Sequence, residues 1–294
     1  MRFIISSVLL CSCALGGTIQ AQSLPKLSDL GLASVASAAF YCEEEDYSIS
    51  MQMAYENGRM CQFIGQSSES EVVVQFDPLQ MTVVSEYMSE VIYKDIVLNE
   101  AGCATSWTTC LGTREFQGSA SYNEKNQMLS IQLEEGESCI LTWEDDNLTH
   151  LEYHDSRERL LDSFDITYSD QPSRGLIVQA CTPSFDEFGF FAFSGLLGVT
   201  SKNLPLQSVD RWGSDIYCDT SDFDYEYDDQ GRVTCVMTTL NGSHTDYRHI
   251  TYAEDASHLN AIMSVGAPCT RKTTQGIVRT LSDGTQRVYD YLGR

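Results

Sequence analysis

Positive charge is scarce in this sequence. It has 18 Lys and Arg residues against 42 Asp and Glu residues, which gives a formal net charge of −24 at pH 7. Nucleic acids and anionic membranes are themselves negative, so this excess of acid argues against either as a partner. After the N-terminus, no stretch reaches the ~18 consecutive apolar residues of a transmembrane helix. We therefore expect neither a nucleic-acid-binding protein nor a helical membrane protein.

Familiar catalytic and metal-binding motifs are missing as well. The chain has no G-x-S-x-G, no P-loop, no H-E-x-x-H and no C-x-x-C, so the common hydrolase, nucleotide and zinc signatures are lacking. His150 and His154 flank Glu152, but positions i and i+4 of an extended strand lie about 13 Å apart. The sequence thus predicts no catalytic residue, no metal and no cofactor.

The first 21 residues have the order of a secretory signal peptide. Arg2 precedes an apolar run of about 15 residues, and Ala21 supplies a small residue before the cleavage site. The segment that ends at Cys13 approximates a lipobox, so lipoprotein processing is the alternative. We expect the protein to be exported to the periplasm or outer surface, with a lipid anchor if processing occurs at Cys13.

The expected mature chain has an odd number of cysteines. Of the 11 in the sequence, Cys11 and Cys13 fall within the signal peptide, which leaves nine. At least one of them is therefore unpaired or pairs between chains. Cys103 and Cys110 are nearest in sequence and form the candidate disulfide. The alternative is that most of these thiols are reduced and buried.

A large apolar residue followed by a polar turn recurs along the chain. Its positions are Tyr55, Phe76, Leu98, Tyr122, Trp143 and Tyr168, at steps of 21 to 25 residues, with Tyr227 further on. A period in the low twenties fits two strands of roughly 7–9 residues and two turns. We predict an all-β fold, a large curved or partly closed antiparallel β-meander of ~22-residue hairpin repeats. Reversals are expected at 56–59, 77–80, 99–102, 123–127 and 144–147.

One segment interrupts this rhythm. We divide the mature chain into a lead-in at 22–46 and a single antiparallel β domain at 47–294, with a Phe-rich insertion at 176–212. A capping-box spacing at 184–187 and Gly198 as C-cap predict a short helix over 185–197. The helix either covers an open end of the sheet or forms an apolar lid over a ligand. The candidate ligand or lid residues are Phe185, Phe188, Phe190, Phe191 and Phe193.

The acidic stretch Glu226-Tyr-Asp-Asp-Gln-Gly-Arg-Val233 resembles a metal loop at first sight. An EF-hand would need a glycine where Tyr227 stands. A hairpin turn explains the stretch better, because Gly231 allows a positive φ and Asp228 can cap the turn. The alternate acids Asp222, Asp224, Glu226 and Asp228 then share a solvated face, and Phe223, Tyr225 and Tyr227 share a buried face.

Several motifs also carry a family resemblance. Tyr-Asp-x-x-Gly-Arg at 227–232 is similar to the YD (RHS-type) repeats of bacterial secreted proteins. The segments 143–148, 198–205 and 225–231 together resemble a family of exported bacterial domains of unknown function with a porin-like fold. The resemblance covers about residues 47–255 and implies fold and export, but it brings no catalytic residues.

A porin-like fold does not by itself imply a membrane-spanning barrel. Many outer strand positions carry Asp, Glu, Ser or Gln, which lipid would not tolerate. We therefore expect a soluble sheet that does not span a membrane. The favoured function is a non-enzymatic binding or interaction protein whose partner is a small molecule, glycan or protein. The alternatives are a carrier of a small apolar ligand inside the curved sheet and a hydrolase with residues drawn from several loops.

Overall fold

The structure is a computed structural model. It describes residues 24–42, 47–67, 71–77, 81–85, 90–132, 136–178, 190–212, 217–253, 277–280 and 286–289. The expected signal peptide lies outside these ranges. Most of the remaining chain lies within them.

Sixteen antiparallel strands of the described chain close into one barrel. They are β1 Val35–Cys42, β2 Tyr47–Glu56, β3 Arg59–Ser67, β4 Glu71–Asp77, β5 Thr82–Ser85, β6 Glu90–Leu98, β7 Ala104–Leu111, β8 Arg114–Tyr122, β9 Met128–Gln132, β10 Ser138–Glu144, β11 Asn147–His154, β12 Leu160–Pro172, β13 Asn203–Trp212, β14 Tyr217–Tyr227, β15 Val233–Leu240 and β16 His244–Tyr252. Each strand pairs with its neighbours in sequence. Two further strands, β17 Ile277–Thr280 and β18 Gln286–Tyr289, form a separate sheet.

The prediction of an antiparallel all-β fold is confirmed, but the barrel is closed rather than curved or partly closed. The difference comes from residues 35–42, which the sequence assigned to a lead-in segment. They form β1, which pairs with β2 on one side and with β16 on the other. Without β1 the sheet would have two free edges, so this strand is what closes the ring.

Four of the five predicted reversals fall between strands. The turns lie at 57–58, 99–103, 123–127 and 145–146, while the fifth, at 77–80, lies mostly outside the described residues. Strand lengths nevertheless range from 4 residues in β5 to 13 in β12. A uniform hairpin repeat of about 22 residues is therefore not supported.

The feature that does recur along the barrel is the position of one aromatic side chain. In six even-numbered strands it lies near the strand end and donates a hydrogen bond to a carbonyl near the start of the preceding strand. The bonds are Tyr55 Oη to Val35 O (2.7 Å), Tyr122 Oη to Ala104 O (2.9 Å), Trp143 Nε1 to Met128 O (2.7 Å), Tyr168 Oη to Leu148 O (2.6 Å), Tyr225 Oη to Pro205 O (2.7 Å) and Tyr252 Oη to Val233 O (3.0 Å). Phe76 and Leu98 lie at the corresponding ends of β4 and β6 and pack on the core. The six hydrogen bonds tie six of the eight consecutive strand pairs together at one end of the barrel.

That end is filled by the chain itself. A 3-10 turn, η1 (Leu27–Leu30), and a one-turn helix, α1 (Phe190–Phe193), belong to the segments that pack there. We call residues 190–201 the plug. Phe190, Phe191 and Leu196 in the plug have no exposed surface. The ring of Phe191 lies 4.6 Å from that of Tyr93 and 5.2 Å from that of Trp107 between centroids.

The predicted helix over 185–197 is wrong in extent. Residues 185–189 lie outside the described chain, and α1 ends at Phe193. Turns follow because Gly195 and Gly198 adopt φ of +81° and +84°, which a helix does not allow. Within the predicted Phe-rich insertion at 176–212, residues 203–212 form β13. No helix in the described part of the chain is long and apolar enough to cross a membrane.

The acidic stretch after β14 is a turn, as predicted. Asp228 Oδ1 accepts hydrogen bonds from the amides of Gln230 (2.9 Å) and Arg232 (2.8 Å), and Gly231 has a φ of +72°. The acids of β14 are exposed on its outer face, namely Asp222, Asp224 and Glu226. Tyr227, expected on the buried face, is 45% exposed because a register shift follows Glu226.

Candidate functional site

The inner face of β12, β13 and β14 continues beyond the buried core as a wall of acids and aromatic rings. Side chains alternate between the two faces of a strand. Ile166 and Phe223 are buried in the core, so residues two, four or six positions away on the same strands also face the lumen. With their partners on β13, these side chains form what we call the acidic-aromatic wall: Asp162, Phe164, Asp210, Trp212, Tyr217 and Asp219.

Asp210 lies at the centre of this wall. It is paired with Phe164 on one neighbouring strand and with Asp219 on the other. Towards the strand ends, Trp212 is paired with Tyr217. Their rings are stacked, with centroids 5.8 Å apart and an interplanar angle of 18°. The wall therefore places carboxylates beside an open aromatic face, since Tyr217 is 57% exposed.

The ionised form of the Asp210 carboxyl is disfavoured by its surroundings. Burial, together with the like charges of Asp162 and Asp219, raises the pKa of Asp210 to about 6. Its Oδ1 is shielded from solvent and has no hydrogen-bond partner among the described residues. A positive group next to Asp210 would relieve both the repulsion and the missing contact.

The adjoining strands add further groups to the lumen. On β11, Tyr153 meets Phe164 edge to face, with ring centroids 5.9 Å apart. On β16, Arg248 and Asp246 face inward by alternation from the buried Ile250. Burial lowers the pKa of Arg248, and the charge of Asp246 opposes that shift.

The two histidines considered for a metal site are joined by Glu152 on the outer face of the barrel. Nε2 of His150 lies 3.4 Å from Glu152 Oε1, and Nε2 of His154 lies 3.1 Å from Oε2. Nδ1 of His150 is 2.7 Å from Oδ1 of Asp165, which also pairs with Arg211. Hydrogen bonds from the histidines lower the pKa of Glu152. Among the described residues, no group of three or more His, Cys, Asp or Glu is placed to hold a metal ion.

The Phe-rich residues named from sequence do not lie at the acidic-aromatic wall. Phe190 and Phe191 are buried in the plug, and Phe193 is partly buried and stacks on Phe63 at 6.3 Å between centroids. Phe185 and Phe188 lie outside the described residues. A role for these side chains as a lid or ligand site remains a prediction.

The candidate disulfide does not form in this structure. Cys103 precedes β7 and Cys110 lies near its other end, so six residues of the strand separate the two cysteines. Both are free, and Cys103 is buried. Burial raises the pKa of Cys103 to about 11. The prediction failed because the segment between the cysteines is a strand and not a turn, and a strand keeps them apart.

Sequence reasoning did not identify the wall residues. A signal for them was present, because the pattern Asp-x-Trp before the 213–216 connection is mirrored by Tyr-x-Asp after it. In a hairpin, that arrangement places both acids and both rings on one face. The prediction of a solvated face concerned Asp222, Asp224, Glu226 and Asp228, and only closure of the barrel shows that Asp162, Asp210 and Asp219 point inward.

Comparison with known proteins finds solved structures that resemble this chain but have low sequence identity to it. No protein-family model matches the chain, and no curated protein matches it. A porin-like protein from Bacteroides uniformis is 15% identical with a TM-score of 0.47, over 79% of this chain and 100% of that one. A porin-like protein from Bacteroides vulgatus is 11% identical with a TM-score of 0.47, over 74% and 98%.

A third similarity is to a far longer chain. The TcdB2-TccC3-TEV structure is 10% identical with a TM-score of 0.31, over 89% of this chain but only 13% of that one. Similarities of this size carry no inference about function. Membership of the exported porin-like family, and the YD-type repeat, therefore stay predictions.

Proposed function

We propose that this protein is an exported, non-enzymatic binding protein that holds a small organic cation against the acidic-aromatic wall. The observation that carries the proposal is Asp210, an inward-facing carboxyl with a raised pKa and an oxygen without a partner among the described residues. Asp162 and Asp219 on the neighbouring strands add like charges. Trp212, two residues further along β13, stacks on Tyr217.

The chemistry of the wall favours a cation over a neutral or negative ligand. A positive charge would be attracted by the three carboxylates and would lower the cost of ionising Asp210. The exposed ring faces add cation–π attraction, worth about 0.5–2 kcal/mol. The net charge of −24 also steers cations towards the protein before they bind.

The polar side chains on the outer surface favour a barrel that is surrounded by water. On β8 the outward positions are Glu115, Gln117, Ser119 and Ser121, all exposed. On β14 they include three exposed acids. We infer that the protein works in the periplasm or at the cell surface and does not span the membrane.

The two alternatives have less support. A carrier for an apolar molecule needs an apolar cavity, yet the apolar half of the barrel holds Phe190, Phe191 and Leu196 of the chain itself. A hydrolase of the Ser, Thr or Cys type needs such a nucleophile beside a base, and the six residues of the wall are three aspartates and three aromatic residues. A sugar that stacks on Trp212 and Tyr217 is the outcome that would most directly redirect the assignment.

The proposal is tested by calorimetric titration at pH 8 with choline, with the diamine putrescine and with 3,3-dimethylbutanol, the uncharged isostere of choline. We expect a cation to bind and the isostere not to bind. Asp210→Asn should weaken cation binding about tenfold, which corresponds to one lost charge-assisted contact. Asp222→Asn, on the outer face of the neighbouring strand, should leave it unchanged. Failure of both cations to bind, or equal weakening by the two variants, would refute the assignment.

A further inference from the structure

A pocket lies at the plugged end of the barrel, away from the acidic-aromatic wall. It has a volume of about 370 Å³ and is formed by the end of η1, the turn after β12 and the segment before β13. The residues that matter for its chemistry are Ser173, Arg174, Thr200, Ser201 and Lys202.

The pocket concentrates positive charge in a strongly acidic protein. Arg174 and Lys202 both line it, although the whole chain has only 18 basic residues. Nη1 of Arg174 donates a hydrogen bond to Gln230 O at 2.7 Å, which holds one side of the guanidinium against the turn after β14. Lys202 forms no ion pair with any described carboxylate, although its charge contributes to the lowered pKa of Asp146, which is paired with Lys125.

The hydroxyl groups in the pocket divide into satisfied and unsatisfied ones. Ser173 Oγ donates to Ser201 O at 2.6 Å, and Ser201 Oγ accepts from the amide of Leu148 at 3.1 Å. Thr200 Oγ1, on the residue before Ser201, is buried and has no hydrogen-bond partner among the described residues. A buried hydroxyl without a partner is unfavourable, and an acceptor oxygen in the pocket would satisfy it.

Backbone contacts fix the two segments that line the pocket. The amide of Ser173 donates to Lys202 O at 2.9 Å, which joins the two basic segments directly. Gly175 has a φ of +77°, and a Cβ there would lie 2.0 Å from the carbonyl oxygen of Gly31. The turn that carries Arg174 is therefore pressed against η1, and the two backbone segments that carry the cations are held side by side at the pocket.

We propose that this pocket binds a small molecule that carries one oxyanion group, a phosphate or a carboxylate. Arg174 and Lys202 supply the positive charge, and Thr200 supplies a hydroxyl donor. The volume exceeds that of a phosphate ion, so a small organic substituent fits beside the oxyanion. The proposal is independent of the cation site, because the two sites share no residue and lie at opposite ends of the lumen.

The test is calorimetric titration with inorganic phosphate and with acetate at fixed ionic strength, with chloride as the reference salt. We expect one of the two oxyanions to bind, and Arg174→Gln or Lys202→Gln to weaken it about tenfold or more, as for loss of a charge-assisted hydrogen bond. Thr200→Val should weaken binding by a smaller factor without changing its salt dependence. Lys94→Gln, which removes a cation paired with Glu115 on β8, is the matched control and should change nothing.

Three outcomes would overturn the proposal. The first is no heat of binding with either anion up to about 10 mM, a concentration well above the millimolar range of weak sites. The second is equal weakening by Lys94→Gln, which would indicate general charge effects. The third is Arg174-dependent sedimentation with phosphatidylglycerol vesicles without any binding of free phosphate, which would make the partner a lipid headgroup. Thermal melts of all four variants show that each is folded before it is compared.

Discussion

Replacement of Phe191 by alanine is the sharpest test of how the barrel is filled. The ring has no exposed surface and contacts Tyr93 and Trp107 at centroid distances of 4.6 and 5.2 Å. Truncation of a fully buried Phe removes its transfer free energy and leaves a cavity, at a cost of about 3–5 kcal/mol. The rigid strands on either side cannot collapse into that cavity, so we expect Phe191→Ala to fall in the upper half of this range.

Phe193→Ala is the matched control, because Phe193 is in the same helical turn but is only partly buried. Its one described ring contact is with Phe63 at 6.3 Å, so we expect a cost of about 1–2 kcal/mol. Urea denaturation followed by near-ultraviolet circular dichroism gives both free energies of unfolding. Equal stability of Phe191→Ala and wild type would show that the plug does not seal the barrel. It would also return the Phe-rich segment to the role of a lid.

Three further outcomes are expected. Asp210→Asn should be more stable than wild type at pH 8, where wild type must ionise a carboxyl whose pKa is raised to about 6, and the difference should vanish towards pH 4 in denaturation curves. Gly118→Ala should cost about 1–3 kcal/mol, because its Cβ would lie 2.3 Å from an indole on β7, whereas Gly65→Ala, with 3.5 Å of room, should cost less than about 1 kcal/mol. Tyr168→Phe should lose about 1–2 kcal/mol with its hydrogen bonds to a carbonyl and a serine, while Tyr227→Phe should melt like wild type.

The sequence indicated the antiparallel strands and most of their turns because both have local causes. An apolar residue before a polar turn marks the end of a strand, as at Tyr55 and Trp143, and the structure shows why the residue is aromatic. Its polar atom reaches back to the start of the preceding strand. Closure of the barrel is different, because it depends on pairing between β1 and β16, about 200 residues apart, and no local pattern reveals such a contact.

The candidate site was not predicted for a related reason. Asp162, Asp210 and Asp219 look like ordinary surface acids in sequence, since alternation alone does not say which face is inside. Only the position of each strand in the closed ring places them together. From sequence, the Phe-rich segment could either cover the sheet or form a lid over a ligand, and its described members pack in the core.

The most direct test of the lumen site is a crystal structure determined at pH 8 with the cation that binds best in solution. We expect density for the cation within about 6 Å of the Trp212 or Tyr217 ring centroid, the usual range of a cation–π contact, and next to the Oδ1 of Asp210. Density on the outer face of the barrel, or a lumen wall at Asp210 without the cation while it occupies another site, would contradict the proposed function.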